Sequence, residues 1–266
     1  LRVFGSRPGT SRPVQPVEHF RVYEGKTPLS IYREGWNSKE DAYLGIKGGS
    51  PMTSHAHMDA GSFVYECDGV RWSMDLGMQD YHSLESRGID LWNQGEGGQR
   101  WDVFRIGIES HSTLTVNGKH HMVKSFVPLT DVWKEKKRKG ARLDMTSVFA
   151  GQVADAERDI WLDRKNHLHV EDRISASGRD IEVRWTMMTP AEAEIISEKE
   201  IRLEKNGHRM VLRFESSGLE ALPFVLPDDP PHEYDAPNPG TCRVGFTVTV
   251  PAGAEAVLMA SLVPVH

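Results

Sequence analysis

Hydrophobic and polar residues alternate over short stretches along most of this chain. In residues 62–67 an aromatic or sulfur-containing side chain occupies every second position, and Asp68 and Gly69 can then form a tight turn. Residues 70–74 continue with apolar side chains at alternate positions. Because side chains two positions apart lie on the same face of a strand, this pattern predicts a β-hairpin.

The same pattern recurs toward the end of the chain and predicts an all-β fold. The further predicted strands are residues 111–116, 160–162, 168–174, 181–187, 210–214, 244–250 and 256–263. Asn117 and Gly118 follow the first of these and readily adopt the positive φ angles of a two-residue turn. No amphipathic helical pattern of about 10–15 residues separates the strands. The sequence therefore favours an antiparallel β-sandwich over a parallel α/β sheet, with few short helices, one of them at residues 83–92.

The chain divides into a short leading segment and one large domain. Residues 1–18 are rich in Pro, Gly, Ser and Arg and show little periodicity, so they are predicted to be a tether. Residues 19–266 are expected to form the β-sandwich domain, which is long enough to bury a core without a disulfide scaffold. The first residues do not resemble a natural start of translation, and we expect the chain to be a piece of a longer protein.

Charge and hydropathy limit the possible partners. The formal net charge of −6 argues against nucleic acid, because neutralising phosphates requires a basic surface. No apolar run reaches the roughly 18 residues that are needed to span a bilayer. The basic run at residues 134–139 precedes Gly140 and is typical of a hairpin tip, which is either solvated or in contact with a polyanionic chain.

Cys67 and Cys242 are the two cysteines of the sequence. They permit one disulfide but do not require it, and neither lies in a close-spaced metal or redox motif. One bridge and two buried free thiols both stay open at this point.

Candidate metal chemistry is concentrated around His55. In an extended strand His55, His57 and Asp59 would point to one face, and imidazole and carboxylate groups are common zinc ligands. His-x-His also occurs on solvated strands, so the spacing alone does not separate a metal site from an ordinary strand. His111 is a further candidate whose position in space the spacing does not fix.

The first 120 residues also contain a series of linked motifs. They are Arg33-x-Gly35-Trp36, Tyr43-Leu44-Gly45-Ile46-Lys47-Gly48-Gly49, His55-x-His57-x-Asp59-x-Gly61-x-Phe63, Asp68-Gly69, Asp75-x-Gly77, Tyr81, and His111 followed by a strand and Asn117-Gly118. In this order the motifs resemble the heparinase II/III family of polysaccharide lyases.

The resemblance implies a C-terminal antiparallel β-sandwich of the supersandwich type, which follows a helical toroid in the full-length protein. The toroid is therefore an expected partner, and an acidic polysaccharide is expected to bind between the two parts. The resemblance also implies that zinc is bound by His57, Asp75 and His111, in a mainly structural role that leaves a fourth position open. On the same basis His55 is a catalytic residue of the cleft, and Asp59 orients a ligand imidazole instead of binding the metal.

The resemblance further implies cleavage of a heparan sulfate-like or alginate-like chain by β-elimination. The Tyr and the His or Asn that complete the mechanism come from the toroid, so the isolated chain is expected to be inactive. Arg100 and Arg105 are predicted to meet substrate carboxylates or sulfates, with surface ion pairs as the alternative. Tyr81 is a further candidate substrate contact, with packing as its alternative.

Three functions are compatible with these observations. The chain is the C-terminal domain of a lyase, a metal-stabilised carbohydrate-binding module without a catalytic role, or a purely structural sandwich. The resemblance favours the first of them and implies a periplasmic or extracellular location.

Overall fold

A computed structural model describes residues 16–265, and most of their regular structure is antiparallel β-strand. Seventeen strands form three sheets in this part of the chain. The predicted antiparallel β-sandwich is confirmed. Most of the predicted tether lies outside the described residues, and the first strand begins at Phe20.

The first sheet has five strands in consecutive order. They are β1 (Phe20–Tyr23), β2 (Leu29–Arg33), β3 (Tyr43–Lys47), β4 (Phe63–Cys67) and β5 (Val70–Ser73). Alternate side chains of β3 and β4 are buried, as expected for a sheet with one face on the core. The predicted hairpin joins β4 to β5, and both of its turn residues, Asp68 and Gly69, have positive φ.

The second sheet has eight strands and joins the middle of the chain to its end. In spatial order they are β12 (Glu192–Ser197), β13 (Glu200–Lys205), β14 (His208–Glu215), β17 (Glu255–Pro264), β10 (Leu168–Ala176), β9 (Val153–Leu162), β8 (Arg138–Asp144) and β7 (Leu129–Glu135). The tip of the β7–β8 hairpin carries the basic run, as predicted.

The third sheet has four strands and closes the sandwich. In spatial order they are β15 (Ala221–Pro227), β16 (Cys242–Val250), β11 (Ile181–Thr189) and β6 (Leu114–Val116). Asn117 and Gly118 both have positive φ and form the predicted turn after β6.

A row of aromatic rings connects the three sheets. The ring centroid of Phe63 on β4 lies 6.1 Å from that of Trp185 on β11. Phe246 on β16 stacks on Trp185 at 5.7 Å and on Phe214 of β14 at 4.5 Å. Burying a large apolar side chain contributes roughly 1.5–3 kcal/mol, so this shared core binds the sheets into one unit.

Helical structure is limited in the described residues. The α-helix α1 spans Tyr81–Glu85, and 3₁₀ turns span Gln99–Asp102, Ile108–Ser110 and Thr146–Phe149. The carboxylate of Asp80 caps α1 by accepting a hydrogen bond from the amide of Ser83. The predicted helix at residues 83–92 is thus shorter and begins earlier than expected. No helix within residues 16–265 is long and apolar enough to cross a membrane.

A second, smaller core supports the irregular segment between β5 and β6. Its buried members are Met58, Leu84, Ile89, Leu91, Trp101, Val103, Ile106, Ile108 and Val123. This core gives loops of little regular structure a fixed position beside the sandwich.

The structure also settles points that the sequence left open or missed. Cys67 and Cys242 are free thiols, so the disulfide alternative is excluded. Strands β1–β3, β12, β13 and β15 were not predicted. β15 contains Pro223 and Pro227, which a sheet accepts at its edge, and β15 is indeed the first strand of its sheet.

Candidate metal centre

Three side chains from separate segments converge beside the second core. His57 lies in the loop between β3 and β4, Asp75 lies two residues after β5, and His111 follows the 3₁₀ turn that ends at Ser110. One potential ligand atom from each residue lies within 4.8 Å of the other two. The centroids of the two imidazole rings are 5.4 Å apart. The structure therefore brings together the three residues that the sequence analysis proposed as zinc ligands.

Glycines allow the backbone to reach these positions. Gly77 has a φ of +69°, and its amide donates a 2.7 Å hydrogen bond to Oδ1 of Asp75, which turns the chain back after the ligand. Gly61 has a φ of +77°, and a Cβ there would lie 2.6 Å from the terminal methyl of Met145. A side chain at Gly61 would thus strain the end of the loop that carries His57.

The protonation states of the three side chains are coupled. Nδ1 of the buried His111 lies 2.7 Å from Oδ2 of Asp75 and donates to it. Burial opposes the imidazolium, but the Asp75 carboxylate outweighs this effect and raises the pKa of His111. Burial also opposes charge on Asp75, yet His111 and the Gly77 amide hold the pKa of that carboxyl well below its usual range. Burial and the neighbouring His111 lower the pKa of His57 to about 4, so this imidazole is neutral at pH 7.

This donor set fits a zinc ion. His57 offers a neutral imidazole and Asp75 a carboxylate, which are common zinc ligands. Nδ1 of His111, the ring nitrogen that lies beside the Asp75 carboxylate, would be the third donor once it has lost its proton.

His55 lies next to these residues in an unusual backbone conformation. Its φ is +62°, a left-handed value that is uncommon for a residue with a side chain. Residues 54–60 form turns and irregular structure, so the expectation that His55, His57 and Asp59 share one face of a strand is wrong. The exposed side chain of His55 instead places Nδ1 3.2 Å from the hydroxyl oxygen of Tyr81.

Trp92 completes an aromatic cluster with His55 and Tyr81. Its ring centroid lies 5.8 Å from that of His55 and 5.9 Å from that of Tyr81, in edge-on geometry. The indole N–H donates to Glu85 at 2.8 Å, although 63% of the residue is exposed. Trp92 gave no signal of a site in the sequence, because it belongs to none of the motifs.

Arg100 is placed differently from its predicted role as a substrate contact. Its guanidinium is buried and donates to the carbonyls of Leu91 and Ala56, at 3.2 and 2.8 Å, and to the hydroxyl of Tyr81 at 3.1 Å. These bonds fix the main chain directly after His55. Arg100 therefore supports the cluster from below and does not face a ligand.

Arg105, the second predicted substrate contact, is half-buried and makes several hydrogen bonds within the chain. Its guanidinium donates to Oδ1 of Asn238 at 2.8 Å, to the carbonyl of Met78 at 3.2 Å and to that of Pro237 at 3.1 Å. Through these three hydrogen bonds Arg105 fastens the loop before β16 to the segment before α1, and two of its five N–H groups take no part in them.

Asp59 is paired with a lysine. Its carboxylate accepts from Lys47 at the end of β3 in an ion pair, and neither His57 nor His111 donates a hydrogen bond to it. The Asp59 charge still raises the pKa values of His57 and His111 at longer range. The ion pair of Lys47 was not predicted. Lys47 stands in the sequence only as part of a motif, and no local pattern connects it with a residue twelve positions away.

A comparison with known families places these features in context. Residues 32–236 match the family described as heparinase II/III-like, C-terminal. A search of curated proteins found no match.

Solved structures of larger proteins share the fold. A crystal structure of heparinase III matches 97% of this chain over 38% of its own chain, with a TM-score of 0.71 and 15% identity. Heparan sulfate lyase HepC from Pedobacter heparinus matches 94% of this chain over 37% of its own, with a TM-score of 0.65 and 15% identity. This chain thus spans less than two fifths of the length of either protein. Because the family match extends over most of the sequence and the sandwich is shared with heparinase III, the chain belongs to the heparinase II/III-like C-terminal family.

Proposed function

We propose that this domain is the zinc-binding C-terminal part of a polysaccharide lyase that acts on a uronic-acid-containing chain, of the heparan sulfate or alginate kind. The observation that carries the proposal is the convergence of His57, Asp75 and His111 beside the hydrogen-bonded pair of His55 and Tyr81. The fold shared with proteins named heparinase III and heparan sulfate lyase supports this substrate class.

The proposed metal role is structural. His57, Asp75 and His111 would hold the ion, which would cross-link the loop before β4, the end of β5 and the approach to β6. Structural zinc sites add directly to folding free energy, because the unfolded chain has no preformed site.

In the proposed reaction, a base removes the proton on the carbon next to the uronate carboxylate. The electron pair of the broken C–H bond forms a carbon–carbon double bond as the bond to the linking oxygen breaks, and an acid gives that oxygen a proton. We assign His55 and Tyr81 to this cleft, where the hydrogen bond between them can relay a proton. The hydrogen bond that Arg100 donates to the Tyr81 hydroxyl would stabilise negative charge on the Tyr81 oxygen. The other reacting groups are assigned to a helical toroid domain of the same full-length protein.

Elemental analysis of the purified chain tests the metal assignment. We expect about one zinc per chain in the wild type, loss of zinc in His57→Ala, and retention in His208→Ala, which changes an exposed histidine on β14. A chelator should lower the melting temperature of the wild type. Wild-type protein without zinc would contradict the proposal.

The catalytic assignment is tested in the full-length protein. His55→Ala should reduce the rate at which the unsaturated uronate product, followed by its ultraviolet absorbance, is formed. The exposed indole of Trp92 favours a second candidate, sugar binding without chemistry. Unchanged turnover in His55→Ala with intact oligosaccharide binding would support that alternative.

A substrate of this kind would place the protein in the periplasm or outside the cell. Fractionation of the source cells, with detection of this chain in each fraction, tests the location. Recovery in the cytoplasmic fraction alone would contradict it.

A further inference from the structure

A fully buried ion pair lies beneath the candidate metal centre. Nε of Arg158 on β9 lies 2.6 Å from Oδ1 of Asp172 on β10, and its second donor lies 3.0 Å from Oδ2. Neither side chain has any exposed surface. The remaining guanidinium nitrogen donates to the carbonyl of Gly61 at 3.0 Å and to that of Ser112 at 3.4 Å.

These two carbonyls belong to segments that carry proposed ligands. Gly61 ends the loop of His57, and Ser112 directly follows His111. The two segments are also joined directly, because the hydroxyl of Thr113 donates to the carbonyl of Ala60 at 2.7 Å. One buried guanidinium thus contacts both histidine-bearing segments.

The segment of the third ligand joins the same network. The hydroxyl of Ser112 accepts a 3.0 Å hydrogen bond from the amide of Met188 and lies 3.2 Å from the hydroxyl of Ser73. Ser73 is the last residue of β5 and precedes Asp75 by two positions. All three ligand segments therefore meet in one buried hydrogen-bond network that begins at Arg158.

Stability alone does not account for this pair. Replacing a buried ion pair by apolar residues of similar volume is often neutral or stabilising, because the desolvation of both charges offsets their attraction. A guanidinium is a planar donor with fixed directions, so its distinct effect here is to fix where the carbonyls of Gly61 and Ser112 lie.

We infer that Arg158, oriented by Asp172, is a positioning residue that holds the segments of His57 and His111 at the spacing of the metal centre. The inference deepens the proposed zinc site and rests on it for its functional meaning. Its structural content, the position of the two segments, stands independently of zinc.

The test is a double variant, Arg158→Met together with Asp172→Leu, which removes both charges and puts apolar side chains in their place. The matched control is Arg142→Met with Asp159→Leu. That pair is also doubly hydrogen-bonded, at 2.7 and 2.8 Å, and lies on the opposite face of β9. Zinc affinity is measured by competition with a chelating dye, and folding by circular dichroism and thermal melting without metal.

We expect the double variant to fold and to bind zinc about 10–100-fold more weakly, the usual effect of removing support for metal ligands. The control should bind zinc like the wild type. Amide hydrogen exchange without metal gives a second readout. In the loop of His57, the amide of Met58 donates to the carbonyl of Ile106 and the amide of Gly61 donates to the carbonyl of Lys47. Both amides should exchange at least about tenfold faster in the double variant, while strand β16 stays protected.

The outcomes separate the inference from the proposed function. Wild-type exchange at Met58 and Gly61 in the double variant would overturn the inference, whatever the zinc result. A wild type without zinc but with faster loop exchange in the variant would overturn the zinc site and leave the positioning role intact. If the double variant does not fold, Arg158→Lys replaces it. Lysine keeps the positive charge but lacks the planar set of donors of the guanidinium. Wild-type exchange at Met58 and Gly61 in this variant would then overturn the inference.

Discussion

His121 is a buried imidazole whose protonation should destabilise the protein. Its Nε2 donates to the carbonyl of Leu114 at 3.2 Å, and its Nδ1 has no hydrogen-bond partner in the described part of the chain. The ring packs edge-on against Phe149 with centroids 5.2 Å apart. A proton on Nδ1 would be an unpaired charged donor in the core, and burial accordingly lowers the pKa of His121 to about 3.

The pH range and the size of the effect follow from this pKa. The unfolded chain has the ordinary value of 6.5, so it binds more protons than the folded protein between pH 6.5 and about 3, and stability is lost as the pH falls through that window. Each pH unit is worth about 1.4 kcal/mol per group. Lowering the pH from 7 to 4.5 should therefore remove about 2–3 kcal/mol through His121. His57 adds a loss of the same sign, because its pKa is lowered to about 4.

A variant isolates the contribution of His121. His121→Phe keeps a ring against Phe149 and has no titrating nitrogen. The difference in stability between variant and wild type at pH 7 is therefore the reference, and only the titration of His121 should change that difference at lower pH. The free energy of unfolding of both proteins is measured by urea titration, with a chelator present, at pH 7 and at pH 4.5. The difference should move by about 2–3 kcal/mol in favour of the variant at the lower pH. A difference that does not change with pH would refute the reasoning.

Three further predictions concern other positions. Burial raises the pKa values of the Cys67 and Cys242 thiols to about 11, so both should react slowly with thiol reagents in the native state and quickly in urea; fast native labelling would contradict this. Gly140→Ala would place a Cβ 1.9 Å from the carbonyl oxygen of Ile160 and should lower the free energy of unfolding by about 1–3 kcal/mol. An unchanged urea midpoint would contradict this and show that β8 and β9 can move apart without loss of stability. Trp92→Ala should change stability by less than about 0.5 kcal/mol, because the residue is exposed, but should weaken oligosaccharide binding by the full-length protein; equal affinity in calorimetry would remove Trp92 from the cleft.

The fold was predictable where local pattern and tertiary position agree. The β4–β5 hairpin has a turn pair between two alternating stretches, and residues 168–174, 181–187 and 244–250 lie within central strands whose inward positions are apolar. β12 was missed because most of its side chains are exposed at the edge of the eight-stranded sheet. An edge strand needs no buried face, so its sequence lacks the alternation that reveals central strands.

The sequence analysis named three residues that the structure brings together, but it did not predict the geometry of the candidate site. His57, Asp75 and His111 came from the family motifs, whereas the strand argument selected Asp59, which pairs with Lys47 instead. Spacing could not reveal the turn at His55. The support of the site was also hidden, because Arg158 and Gly61 are 97 positions apart, and no local pattern connects residues at that distance.

The irregular segment that carries His55 is held at several points, and this explains how His55 keeps its left-handed conformation. Strained backbone of this kind costs on the order of 1–3 kcal/mol and persists only where its surroundings determine it. Arg100 donates to the carbonyl of Ala56, whose amide donates to the carbonyl of Thr53 at 2.9 Å. Further along, the loop passes through His57 and ends at Gly61, where the buried guanidinium of Arg158 donates to its carbonyl. His55 lies within the turn that the hydrogen bond between Ala56 and Thr53 closes, so contacts of its neighbours hold the backbone that directs its side chain toward Tyr81.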